Sequence, residues 1–575
     1  MNDEQKMKRE IDAAAGREKA DLVIKRAKIV NVFTQKIEEG DVAVVGDRIV
    51  GVGEYAGKTE IDAAGKYLIP GLIDGHMHIE STQLTPEELS KAVLPHGTTT
   101  LIADPHEIAN VCGADGVRYL AEASAKTPLT VKIMFPSCVP ATPYENSGAV
   151  LDSGEIAAHI GDKGVWGLGE YMNYPGVVNA AEEDVKKLCV ARRKGCAVDG
   201  HAPELSGKEL NAYLCGGIKT DHECMGEKEI EEKIARGMYV HIREGSATRN
   251  AAANAKAVRA ETMRRFILCT DDRHACDLKR GGHIDNVLRI LVQNGVNPLW
   301  AVTMGTLNTA ECYGLKGYGA VAPSYVADIV CVDDLKNFNV SFVVKNGRLA
   351  AKDGRPLFEC ARHEDKKVLS TVHIKPLAPA DFDIYSRSEN VKVIRLLHQN
   401  VVTEKIIRKV RLADGKVDIA GTDLLKLAVV ERHKATGNVG LGLIEGYGLK
   451  NGAIALTVSH DSHNIIVLGD SSENMYAAVK EIERIGGGMA LVKDGKVADS
   501  LPLEIAGLMS VLEIDEFEKR LEKMISEAYG MGVAKDIQPF MSLSFLALVV
   551  IPEIKITDRG LFDVGRFGFT PLEAE

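Results

Sequence analysis

From about residue 72 onward the chain repeats one unit, a short apolar run ending in polar or ionisable residues followed by a helical stretch. The runs TTTLIADPHE, LTVKIMFPSC, VWGLGE, GCAVDGHAP, MYVHIREGS and FILCTDD alternate with segments such as TPEELSKAVL and AAEEDVKKLCVARRKG. Alternating strands and helices bury both patterns best as a parallel sheet covered by helices. Sustained across residues 71–322, the rhythm predicts an α/β fold centred on a TIM-like (β/α)8 barrel, with the loops after each strand gathered at one mouth.

The flanks have another texture. Residues 1–20 read as a helix, and DLVIKRAKIV, GDVAVVGDRIVGVG and KYLIPG then carry short β-branched stretches between Gly and Asp turns. Strand texture returns after Pro323 in ADIVCVDDL and FNVSFVVKNGRLA, where Asn346-Gly347 suits a two-residue hairpin. Residues 1–70 and 323–374 are therefore expected to pair into one small β-sandwich domain beside the base of the barrel. Residues 375–575 hold further strand runs (LLKLAVVER, GAIALTVSH, NIIVLG) and helices (SENMYAAVKEIERI, EIDEFEKRLEKMISEAY), which predict a separate α/β or α+β domain. Glycines 486–488 lack the context of a phosphate loop or dinucleotide fingerprint and read as a turn ahead of MALVKDGKV, itself a hairpin at Asp494-Gly495.

Composition narrows the function classes. The formal charge is -11 and the Lys and Arg residues are dispersed, which disfavours nucleic acid as a partner. The N-terminal stretch is charged throughout and no run approaches a membrane span, so neither export nor membrane insertion is expected. The 11 cysteines form no CxxC pair, consistent with reduced thiols in a cytoplasmic protein.

The ionisable residues at the strand ends carry the chemistry. In GLIDGHMHIE, His76 and His78 follow an apolar run at a spacing that turns both imidazoles to one site, with Asp74 upstream and Glu80 downstream. A lone HxH arises by chance in many chains, so company decides. Glu170 ends VWGLGE, His201 ends AVDG, His222 sits in IKTDHE, and Asp271 and Asp272 follow FILCT. Singly, each is readily a solvated loop residue; together at one barrel mouth they form a ligand set. Imidazole and carboxylate without a cysteine cluster suit Zn²⁺, Mn²⁺ or Fe²⁺. Glu170 is the best placed carboxylate to bridge two such ions. Four neutral histidines with Glu170 and one Asp carry about two negative charges, so two divalent cations leave a positive site that favours a bridging hydroxide as nucleophile.

These residues resemble the amidohydrolase superfamily and, within it, the adenine deaminases of bacteria and archaea. His76 and His78 match the family's first-strand pair, Glu170 its fourth-strand carboxylate, His201 and His222 the fifth- and sixth-strand histidines, and Asp271 the eighth-strand aspartate. DPHEIANVCG, MFPSCVPATPYE, LGLGEYMNYPGV, VDGHAPELSG, KTDHECM, HIREGSA and CTDDRH are similar to that subfamily, as are VVERHKATGNVGLGLIEGYGL, TVSHDSHNIIVLG and LPLEIAGLMS near the C-terminus. The resemblance implies hydrolysis of adenine to hypoxanthine and ammonia at a two-metal site, as in purine salvage. Water attacks C6 and the amine leaves protonated. Asp271 is implied as both ligand and proton acceptor, with Asp272 its rival. His106 and Glu107 of DPHE, anchored by Asp104, are candidates to shuttle a proton or bind the purine edge. Manganese or iron is the expected metal, with zinc possible, and a homodimer the expected assembly.

Other readings are weighed against this one. A dihydroorotase or hydantoinase type uses nearly the same metals, but generally places a carboxylated lysine where this chain has Glu170. A metal-binding scaffold protein requires a site closed by protein ligands. Glu223 and Arg243 are weaker candidates, Arg243 being expected to pair with Glu244 or Asp221. His460, Asp461 and His463 follow the strand-like GAIALTV and read as a loop leaning toward the barrel centre or a subunit interface, since a metal site of their own lacks a fourth ligand.

Overall fold

The computed structural model describes residues 2–397 and 401–574. Its centre is a row of parallel strands: β1 (Leu72–Met77), β2 (Thr98–Ala103), β3 (Thr130–Phe135), β4 (Val165–Tyr171), β5 (Ala197–Gly200), β6 (Thr220–Asp221), β7 (Tyr239–Arg243) and β8 (Phe266–Cys269). The first five are hydrogen-bonded in sequence order, as are the last three. Across the gap, the Gly200 amide donates to Thr220 Oγ1 at 2.9 Å. At the other end the Asp271 amide donates to the His76 carbonyl at 2.9 Å, and Met77 and Asp271 form a parallel bridge. The row therefore curls, bringing the end of β8 to the end of β1. Helices fill the connections. Glu182–Lys194 opens with Glu182, Glu183 and Asp184 and closes with Arg192, Arg193 and Lys194, complementing the helix dipole, and Gly195 at φ 67° ends it.

Strands of the two flanks share one sheet. Tyr67–Pro70 lies antiparallel to Ile329–Val332, joining strands from both sides of the parallel row into one nine-stranded sheet. Within it, Ala20–Asn31 bonds Gly57–Asp62 through its first half and Tyr67–Pro70 through its second, with Arg26 at φ 56° between them. Asn346 and Gly347 form the hairpin turn, both at positive φ, with Lys345 opposite Arg348. The N-terminal helix is Asp3–Ala14.

The C-terminal region is built on an eight-stranded sheet running from Thr403–Lys409 to Lys496–Pro502, with the helix Ser472–Ile485 packed on it. Asp494-Gly495 makes its last hairpin, while Gly486 caps the preceding helix at φ 75°. This region is not a satellite. Leu84, Ile108 and Leu168 share one buried cluster with Leu456, Met489 and Phe517, and the Ser510 amide donates to the Gln83 carbonyl at 2.8 Å. Among the described residues no helix is long and apolar enough to cross a membrane.

Candidate metal centre

The six residues singled out at the strand ends converge. Glu170, buried at the end of β4, stands between two pairs of imidazoles. Its Oε1 lies 3.3 Å from His78 Nε2 and 3.6 Å from His76 Nε2. Its Oε2 lies 2.9 Å from His201 Nδ1 and 3.4 Å from His222 Nε2. Asp271 closes the first group, with Oδ1 3.0 Å from His78 Nε2 and 3.7 Å from His76 Nε2. One carboxylate thus offers an oxygen to each of two neighbouring sets of donors.

Local bonding fixes how these side chains point. His78 donates from Nδ1 to the Asp104 carbonyl at 2.8 Å, which leaves its Nε2 lone pair facing the carboxylates. Asp104 also accepts the Glu170 amide at Oδ2, 2.7 Å away. Gly169 permits that approach, because a Cβ there would stand 2.3 Å from the same Asp104 oxygen. Asp74 joins β1 to β8, accepting the His76 amide at 3.1 Å and the Thr270 hydroxyl at 2.5 Å. Glu80, two residues after His78, accepts the Ile108 amide at 2.9 Å and so anchors the helix His106–Ser124.

The donor set fits divalent cations. Both ring nitrogens of His76, Nδ1 of His222 and Nδ1 of His106 are buried without a hydrogen-bond partner, a costly condition for neutral rings among carboxylates. Burial favours the neutral forms, yet the histidines hold Glu170 well below the usual carboxylate range, and Arg243 and His78 do the same for Asp271. Burial likewise opposes a charge on His76, but Asp199 and Glu170 hold it up at about 10. The cluster calls for positive charge at its middle. Ligand atoms of His76, His78 and Glu170, of His76, His222 and Asp271, and of Glu170, His201 and His222 each lie close enough to share an ion.

The two aspartates after β8 part company. Asp271, at φ 57°, faces the cluster, whereas Asp272 accepts the Ser81 hydroxyl at 2.5 Å and lines a narrow cleft with His274, Gln83 and Phe545. His106 and Glu107 open a helix rather than a loop. His106 Nδ1 is 3.5 Å from both Glu170 Oε1 and Asp104 Oδ1, and its Nε2 is 3.5 Å from Glu107 Oε1.

Arg243 departs from expectation. It pairs with Glu223 through both terminal nitrogens and reaches Asp271 Oδ2 at 2.6 Å, not Glu244 or Asp221. Asp221 is instead bound to the buried Lys233 at 2.7 Å, and Glu244 faces Arg249. Strand geometry is the reason: Arg243, ending β7, points into the mouth between the β6 and β8 loops. Sequence reasoning also missed Asp199, whose Oδ2 faces His76 Nδ1 at 3.7 Å while Oδ1 accepts Tyr313 and Thr220 hydroxyls at 2.7 and 2.6 Å. An aspartate two residues before His201 was the available signal. Tyr313, far along the chain, had none.

Residues 67–350 match the amidohydrolase family, and residues 400–568 match the adenine deaminase C-terminal domain. The chain is 49% identical to an adenine deaminase of Clostridium acetobutylicum, covering 97% of this chain and 99% of that protein. It is 50% identical to an adenine deaminase of Nitratidesulfovibrio vulgaris strain DP4, covering 98% of each, and 44% identical to one of Halalkalibacterium halodurans. The match to the amidohydrolase family spans the curled parallel sheet and the two histidine pairs around Glu170 at its mouth. By sequence over nearly its whole length, this chain belongs to the amidohydrolases, and among them to the adenine deaminases.

Proposed function

We infer that the protein catalyses the metal-dependent hydrolytic deamination of adenine to hypoxanthine and ammonia. The observation that carries this is Glu170 set between His76/His78 and His201/His222 in a chain 49% identical to an adenine deaminase end to end. We assign His76, His78, Glu170, His201, His222 and Asp271 as ligands of two divalent ions, manganese or iron in preference to zinc. Such ions supply Lewis acidity and an activated water.

The chain's own groups account for binding and proton movement. Asp271 Oδ1 is the proton acceptor nearest the cluster, and Arg243 on Oδ2 fixes its rotamer and keeps it ionised. We assign Asp272, bonded to Ser81 rather than turned to the histidines, to the purine and not to the metals. His106, between Glu170 and Glu107, is the group we assign to carry a proton to the departing amine. Burial of the cluster excludes bulk water around it.

The eight strands support a (β/α)8 barrel, and the shared flank sheet a small sandwich at 1–70 and 323–374. With the barrel at 71–322 and the last domain at 375–575, this is our division of the chain. Free cysteines throughout fit a reducing compartment such as the cytoplasm. We propose a homodimer that binds no nucleic acid.

The test is purified protein with its metals quantified, assayed for ammonia from adenine, adenosine and guanine, and for ring opening of dihydroorotate and hydantoin. Adenine alone should react. Ring opening without ammonia release would replace this reading with the cyclic-amide one, and inactivity with bound metal would favour a scaffold.

A further inference from the structure

The ligands and proton carriers named so far all come from the parallel-sheet region. Glu107, however, is held from elsewhere. His460 Nδ1 lies 2.7 Å from its Oε1, and His463 Nε2 bonds its Oε2. Both histidines come from the loop between Gly452–Leu456 and Ile465–Gly469 in the C-terminal sheet, and all three side chains are buried.

Two imidazoles and a carboxylate this close can serve a cation or a hydrogen-bonded clamp, and the tautomers decide between them. The Ser459 amide donates to His463 Nδ1 at 3.0 Å. A backbone N–H can only donate, so Nδ1 carries the lone pair and Nε2 the proton, which goes to Glu107. His463 then has no lone pair to give a metal at Nε2, and the cluster is a clamp.

The clamp is itself braced. The buried Arg432 guanidinium donates to the His463 carbonyl, to Ala506 O at 3.0 Å and to Thr371 Oγ1 at 3.0 Å. His433 Nε2 bonds the Ser462 carbonyl at 2.7 Å. The His460 amide bonds Ser544 O at 3.0 Å, and its ring stacks on Phe545 with centroids 4.6 Å apart. These bonds fix the loop independently of Glu107. From Glu107 the contacts continue inward: Oε1 is 3.5 Å from His106 Nε2, and His106 Nδ1 is 3.5 Å from Glu170. Hydrogen bonds at Glu107 and then 3.5 Å approaches through His106 thus lead from the C-terminal loop to the carboxylate between the two histidine pairs.

We propose that His460 and His463 are positioning residues of the catalytic centre, holding Glu107 and through it His106 in place beside Glu170, so that the C-terminal domain completes the active site. The proposal rests on the reading of His106 as a proton carrier for adenine.

The test uses the full chain loaded with Mn²⁺. An asparagine amide sits where a histidine Nδ1 would be, and a glutamine amide where Nε2 would be. His463→Ala and His460→Ala should lower kcat for ammonia release from adenine about 10- to 100-fold, the usual effect of losing an outer partner of a metal site, with KM and bound manganese unchanged. His463→Gln and His460→Asn should recover most of that loss, while the exchanged pair His463→Asn and His460→Gln, equally polar, should not. Amide hydrogen exchange of residues 104–110 should quicken in both alanine variants. Alanine variants with parental kcat, or with activity lost only in proportion to manganese, overturn the proposal, as does equal recovery by either amide. If the parent releases no ammonia from adenine, the deaminase reading fails instead. The exchange measurement then decides the positioning claim alone, unchanged exchange at 104–110 overturning it.

Discussion

Arg243 donates to Asp271 Oδ2 at 2.6 Å, leaving Oδ1 of the same carboxylate 3.0 Å from His78 Nε2. One aspartate is thereby fixed between a permanent cation and the His78 imidazole. Asp272, its neighbour in sequence, is tied to Ser81 instead. Asp271→Asn should cost about 10²- to 10⁴-fold in kcat, the range for a lost proton acceptor, and reduce bound metal. Asp272→Asn should keep the full metal complement and act mainly on KM. Metal analysis alongside steady-state kinetics separates them, and an Asp272→Asn protein depleted of metal would reverse the assignment.

Arg243→Ala leaves both Asp271 and Glu223 without their cation in a buried site. Removing one partner of a buried ion pair costs about 3–5 kcal/mol, so a large drop in the denaturation midpoint is expected together with lost activity. Equal stability of Arg243→Ala and parent would show that the pairing is worth little.

The metal itself should be removable and restorable. Glu170 reaches both histidine pairs, so Glu170→Gln should lower metal binding at both positions rather than one. Chelated parent protein should lose activity and regain it on adding two equivalents of Mn²⁺. Free manganese at a hundred times its dissociation constant adds about 2.7 kcal/mol of stability, so thermal scans should shift upward with added metal. A single equivalent giving full activity would contradict the two-ion reading.

Asp199 touches no proposed ion yet faces His76 Nδ1 and is held by Tyr313 and Thr220. Asp199→Asn keeps the hydroxyl contacts and removes the charge. Manganese affinity should fall about 10- to 100-fold, with secondary structure by circular dichroism unchanged.

Lys555 gives a pH dependence remote from the centre. Burial lowers its pKa to about 7 in the folded chain, and its ammonium bonds the carbonyls of Val401 and Phe545, at 2.8 and 3.2 Å, with no carboxylate against it among the described residues. The unfolded value is about 10.4. Between these values the unfolded chain binds more protons, so this residue makes stability rise with pH across that window. The burial penalty is complete below the folded pKa and fades as pH approaches the unfolded one. Lys555→Met, compared with parent by denaturant titration, should therefore show its most favourable stability difference at about pH 6 and lose that advantage toward about pH 10. A difference independent of pH would mean that Lys555 is not neutral in the folded protein.

Several features were legible in the chain before folding. His76, His78, Glu170, His201, His222 and Asp271 each lie at or just past the end of a strand, and most strand ends are local properties set by hydrophobic patterning. The hairpins at Asn346-Gly347 and Asp494-Gly495 were readable because type I′ turns demand two residues at positive φ. The matching strand texture of the two flanks anticipated their common sheet. Arg243 was misread because its choice among Glu223, Glu244, Asp221 and Asp271 depends on how adjacent strands stagger around a curled sheet. Asp199 and Tyr313 meet across more than a hundred residues of sequence, with nothing local to announce it.

By itself, then, the order of residues determined which segments extend, which coil, and which side chains bring imidazole or carboxylate to a strand end, because these follow from periodicity and neighbouring turns. Tertiary structure alone decided that Asp271 rather than Asp272 faces the histidines, that Arg243 bridges Asp271 and Glu223, and that Glu107 lies between His460 and His463. The physical reason is range: patterning acts over a few residues, whereas hydrogen bonds and charges act over a few ångströms between groups brought together only when the sheet curls and the C-terminal domain packs against it.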